Sequence, residues 1–161
     1  MKLINNKDKI LEPTDLFPSQ PYVDEINTKL LCDELRELRE VEDKFYKIFD
    51  FNPCPMAINS LDDNTFVDVN QSFLDIIEVE DKKTILGKSP SESGANIVNK
   101  KDKLYVIECI KRDGMIRNYP IIIRTLKGNE YKSLFSGSFI VLNGKECILT
   151  VCHIIDCKKI F

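Results

Sequence analysis

From Asp24 to Phe49 the apolar residues Ile26, Leu30, Leu31, Leu35, Leu38, Val41, Phe45, Ile48 and Phe49 recur at spacings of three and four, with Glu, Asp, Lys and Arg between them. That period predicts an amphipathic helix over residues 24–51, about seven turns at 3.6 residues each. Asn52-Pro53-Cys54-Pro55 ends it, because a residue before proline is pushed out of the helical region. Leu31, Leu35 and Leu38 have the spacing of a coiled-coil seam, though over fewer than three heptads, and a helix folded back on its own domain fits the pattern equally well. Residues 1–23 carry Pro13, Pro18 and Pro21 among polar residues and predict an extended or poorly ordered leader.

Beyond the prolines the period shortens. Met56–Ser60 and Thr65–Val69 read as two strands joined at Leu61-Asp62-Asp63-Asn64, and Asn70 stands where a side chain can cap a short helix carrying Phe73, Leu74, Ile76 and Ile77. Lys82–Leu86 predicts a further helical turn stopped by Gly87, and Ser89–Gly94 predicts a loop. Ile97–Arg112 reads as a helix with Leu104, Ile107 and Ile110 inward, and Asp113-Gly114 as its left-handed end. Three strands close the chain: Met115–Leu126, Glu130–Leu142 and Lys145–Ile155, turned by Lys127-Gly128-Asn129 and Asn143-Gly144. Pro120 cannot donate to a ladder, so its strand belongs at a sheet edge. The fold class is α+β: an antiparallel sheet with helices gathered on one face.

Taken together, Phe45–Phe49 with Asn52–Ile58, Val67–Leu74, Ile85–Ser89 and Lys111–Gly114 resemble, in order, the joints of the PAS family over residues 41 to about 159. The resemblance implies a five-stranded sheet in order 2-1-5-4-3, with the PAS domain over residues 52–157, the leading helix as a signalling and dimerisation element, and residues 158–161 beginning an output linker. Such modules relay a ligand- or partner-dependent change to an effector, most often a histidine kinase. Alternatives are a ligand-free scaffold for protein–protein assembly, or the sensor of a cyclic-dinucleotide enzyme or a transcription regulator. The family's closing Asp-Ile-Thr signature is replaced by Ile154, Ile155 and Asp156, of which only Asp156 could still offer a polar cap.

The Asn143-Gly144 turn sets Leu142 opposite Lys145, which places Phe139, Gly137 and Phe135 opposite Ile148, Thr150 and Cys152 on one side of the sheet. By the resemblance this is the cavity side, closed by Leu104 and Ile107, with Asn59, Ser133, Thr150 and Cys152 as the polar groups that could orient a small-molecule ligand; a filled core without ligand is the alternative. Leu134, Ile140, Leu149, Val151 and His153 form the other side, which in the family meets the leading helix or a second subunit. The expected partners are therefore a second copy, through the N-terminal helix and outer sheet face, and an effector domain.

Composition narrows the chemistry. The 161 residues are long enough for one domain with a proper core, and a net charge of −3 offers no footprint for nucleic acid or an anionic membrane. Met1–Leu11 mixes Lys, Asn and Asp into its apolar residues, and no stretch nears the roughly 20 apolar residues of a membrane span, so a cytoplasmic location is expected. Six cysteines without a CxxC pair fit reduced thiols. No histidine lies on the helix where haem-binding PAS sensors carry their axial ligand, and no Asn-Cys-Arg marks a LOV-type flavin site, so neither cofactor is expected. Cys54-Pro55 reads as the turn opening a strand rather than a haem contact. Cys152 and His153 are successive strand residues pointing to opposite faces, and Glu37, Glu40, Glu42 and Asp43 sit on the solvated side of the long helix. No catalytic or metal-binding set survives; any catalysis is expected of an effector segment or chain.

Overall fold

The computed structural model describes residues 20–158, with side chains from residue 23. The expected leader lies mostly outside the described residues, as do residues 159–161 of the expected output linker. Helix α1 spans Gln20–Asp50, starting four residues before the periodicity does. Pro21 is tolerated there because first-turn amides have no intrahelical acceptor to lose. The chain divides at Lys44 and Phe45 into two compact units, the first holding most of α1 and the second its last turn with all that follows.

The second unit is a single antiparallel sheet with short helices on one face. Strands β1 (Met56–Ser60), β2 (Phe66–Val69), β3 (Asn96–Ile97), β4 (Met115–Arg124), β5 (Glu130–Leu142) and β6 (Lys145–Lys158) lie in the order β2-β1-β6-β5-β4-β3. The sheet has six strands where five were expected. The extra one, β3, pairs only Asn96 with Arg124 and Ile97 with Ile123, so Pro120 still lies on a stretch of β4 with no outer neighbour. The β5–β6 register is the one set by the Asn143-Gly144 turn, with Leu142 opposite Lys145, Gly137 opposite Thr150 and Phe135 opposite Cys152. Both turn residues take positive φ, 50° and 74°, as a two-residue hairpin requires.

Between β2 and β4 run α2 (Gln71–Ile77), a 3-10 turn (Lys82–Thr84), α3 (Pro90–Ser93) and α4 (Lys100–Asp113). The Ser89–Gly94 stretch, expected as a loop, contains the single turn α3, because Glu92 Oε2 accepts from both the amide and the hydroxyl of Ser89 at 2.8 Å. Helix α4 starts three residues later than the apolar pattern suggests: Ile97 is held in β3 and Asn99 caps the helix by accepting from Lys101 N at 2.9 Å. Gly114 ends it at φ 78°.

Asn70 ties the pieces together. Its Oδ1 accepts from Phe73 N at 3.0 Å, capping α2, and from Met56 N at 2.9 Å. Its Nδ2 points at the carbonyls of Phe49, Asn52 and Cys54 at 2.9–3.2 Å. A fully buried side chain thus fixes the turn through which the last turn of α1 enters β1. On the outer sheet face Phe49 packs with Met56, Ile58 and Cys147, fringed by Ile140, Leu149 and Val151. On the inner face two clusters form, one around Phe66, Val69 and Leu74 under α2, the other around Val106, Ile110, Phe135 and Ile148 under α4.

Candidate functional site

The inner face carries a cavity of about 110 Å³ between β1, β6 and β5 on one side and α4 on the other. Helix α4 comes down close to β5 where Ile110 meets Gly137. Gly137 gives it that room: a Cβ there would lie 2.7 Å from Ile110 Cδ1, so a larger residue would push the Ile110 side chain off its seat against β5. Beside this contact the wall is aliphatic and aromatic, with Val106, Ile107, Ile121, Phe135 and Ile148 prominent.

Of the residues expected to line it, Asn59, Ile107, Phe135, Ile148, Thr150 and Cys152 do. Leu104 does not: it is 54 % exposed, and Val106 turns inward in its place, beside Ile110, which was expected there. Phe139 and Ser133 are inner-face residues packed outside the cavity wall. Three polar contributors escaped the sequence: Asn64, Asn96 and Lys103. For Lys103 a signal was present, since it stands four residues before Ile107 and seven before Ile110, on the inward face of α4.

The polar groups differ in how far they are satisfied. Thr150 donates its hydroxyl to the Ala57 carbonyl at 3.1 Å, and Asn96 Oδ1 accepts from Ser91 Oγ at 3.2 Å. Asn59, only 6 % exposed, leaves its Nδ2 without a partner. Burial pushes the Cys152 thiol up to about 11, so it is a neutral wall group at neutral pH. Ser133 Oγ, buried beside that sulfur, offsets part of the rise but makes no hydrogen bond of normal geometry.

The site is fastened at its rim. Tyr119 donates its hydroxyl to Asp102 Oδ1 at 3.0 Å and its ring lies 4.9 Å from that of Tyr105, binding α4 to β4. At the opposite end Glu78 receives Asn129 Nδ2 at 3.0 Å and pairs with Lys127, so the β4–β5 turn is held to the end of α2.

Outside the cavity, Cys152 and His153 point to opposite faces, the thiol buried and the imidazole exposed. His153 Nδ1 instead stands 4.0 Å from Cys54 Sγ, across the strand opening at Pro55. Asp156 does not cap an output helix. Strand β6 continues through it to Lys158, and its carboxylate faces Lys132 Nζ at 3.6 Å across the ladder while accepting from Cys157 N. Among the described residues no helix is long and apolar enough to cross a membrane.

No protein-family model and no curated protein sequence matches the chain. Solved structures do. The PAS domain of an HTR-like protein from Haloarcula marismortui superposes with a TM-score of 0.61 at 18 % identity, over 76 % of this chain and 98 % of that one. A PAS domain from a two-component sensor histidine kinase gives 0.57 at 17 %, over 73 % and 99 %. The PAS domain of the fruit-fly ELK potassium channel gives 0.54 at 13 %, over 70 % and 95 %. The fold of the second unit is therefore the PAS fold, with one additional two-residue strand at its edge.

Proposed function

We propose that the chain is a sensory and regulatory PAS module that binds a small molecule in the inner-face cavity and passes the resulting shift through α1 to an effector. The observation that carries this reading is the buried, unpartnered Asn59 Nδ2 on the cavity wall. A buried donor without an acceptor costs roughly 1–3 kcal/mol, and a ligand oxygen would recover it. The strands that carry the cavity also carry Phe49 on their reverse, and Asn70 fixes the turn between Phe49 and β1, so a change of strand position has a covalent route into the helix.

A histidine kinase is the effector class best supported, through the sensor-kinase neighbour; the channel domain shows that the fold alone does not decide it. Any catalytic activity would lie in that effector. A second reading, a ligand-free assembly scaffold, draws on the exposed stripe Leu31, Leu35 and Leu38 of α1. Native mass spectrometry of the purified chain separates the two. A stoichiometric adduct lost in Asn59→Leu supports the sensor. A clean apo mass that no metabolite extract changes would leave the scaffold.

A further inference from the structure

The cavity wall is selective in charge as well as in shape. Among the described residues no carboxylate lines it, and the one charged group on it is Lys103. Among the described lysines only Lys82 and Lys103 are part-buried; Lys82 pairs with Asp68, whereas every described acidic side chain is more than 4 Å from the Lys103 ammonium. The neighbouring Asp102 is engaged elsewhere, with Tyr119. Lys103 is thus part-buried on an apolar wall without a counter-ion, and an anion entering the cavity would supply one. The second unsatisfied group, Asn59 Nδ2, is also a donor and calls for an acceptor oxygen. Thr150 has already given its hydrogen to Ala57, and Cys152 keeps its proton, so neither adds negative charge.

Size completes the description. At about 110 Å³ the space is below the roughly 300 Å³ of ordinary drug-sized pockets and close to that of cavities that take a single benzene ring. A nucleotide, haem or flavin is far too large. We infer that the cavity takes a small organic acid, a monocarboxylate with a short apolar tail, its tail against Val106, Ile110 and Phe135 and its charge answered by Lys103 and Asn59. This rests on the small-ligand reading above and adds to it the sign of the ligand's charge.

The test compares pentanoate with its uncharged isostere pentanamide on the full chain, titrated to about 20 mM because ligands of this size bind weakly. The readout is the backbone amide shifts of Asn59, Lys103, Ile107 and Thr150 by NMR. Pentanoate is expected to bind roughly tenfold more tightly than pentanamide. Lys103→Met should erase that preference by weakening the acid alone, while Lys101→Met, at an exposed position on the same helix, should leave it intact. Equal binding of acid and amide, or a preference that survives Lys103→Met, would overturn the charge assignment and leave the small-molecule site standing. If neither compound moves the cavity resonances, this inference fails, and the small-ligand reading is decided separately by the native mass measurement above.

Discussion

Cys152 shows how burial converts a reactive group into a wall. Its thiol is held near 11 against an ordinary 9.0, so the folded state keeps a proton that the unfolded chain gives up earlier. The stability associated with this is complete below pH 9 and disappears as pH rises toward 11, amounting to about 2 kcal/mol. Chemical denaturation of the wild type and Cys152→Ala at about pH 8 and about pH 11 checks it. The wild type should lose about 2 kcal/mol more than the variant over that interval, and equal losses would mean the thiol ionises in place. Asn59 is the opposite case, a buried polar group whose need is unmet. Its position was legible, because alternation along Met56–Ser60 puts residues 57 and 59 on one face; its missing partner was not, because that depends on how far every neighbouring side chain reaches.

Elements were legible where one local rule decided them. The β5–β6 ladder followed from Asn143-Gly144 and strict alternation, since a one-residue slip would turn Phe135 and Cys152 outward. Helix α4 was recognisable and Ile107 and Ile110 face inward as expected, but the limits of the inward face were not legible: Leu104, Tyr105, Val106, Ile107, Cys109 and Ile110 are apolar around most of the circumference. The sheet chose Val106, Cys109 and Ile110, leaving Leu104 outside and Tyr105 stacked on Tyr119. Val106→Ala should therefore cost about 2 kcal/mol and Leu104→Ala under about 0.5 kcal/mol in urea denaturation; the reverse order would mean that α4 is turned the other way. Strand β3 was beyond sequence reasoning because two residues carry no period, and α3 was missed because its signal is a single Ser89–Glu92 capping pair. The cavity is a product of two such elements, the rotation of α4 and the seat that Gly137 leaves for Ile110, which is why its wall could be named in part and its extent could not.

At the scale of the molecule the unanswered feature is the described part of the first unit, a helix whose apolar positions Ile26, Leu30, Leu31, Leu35, Leu38 and Val41 are each about half exposed or more. Exposed apolar surface in a continuous stripe marks an interaction face, and the 4-3 spacing of Leu31, Leu35 and Leu38 is that of a coiled-coil seam, for which we propose a second copy of the chain as the partner. The module proposed above needs such a contact, because a shift at the Asn70-fixed turn becomes a signal only if α1 is held against something that registers it. Light scattering on the intact chain at high micromolar concentration should give the mass of two copies. Leu31→Glu with Leu38→Glu, which sets like charges across the seam without touching the PAS fold, should return it to one copy with an unchanged unfolding midpoint for the sheet domain. Deleting residues 1–40 should do the same, or leave a weaker dimer if the outer face around Leu134, Leu149 and Val151 also contributes. A monomeric intact chain would sink the self-association and direct the stripe toward a different helix, that of the effector.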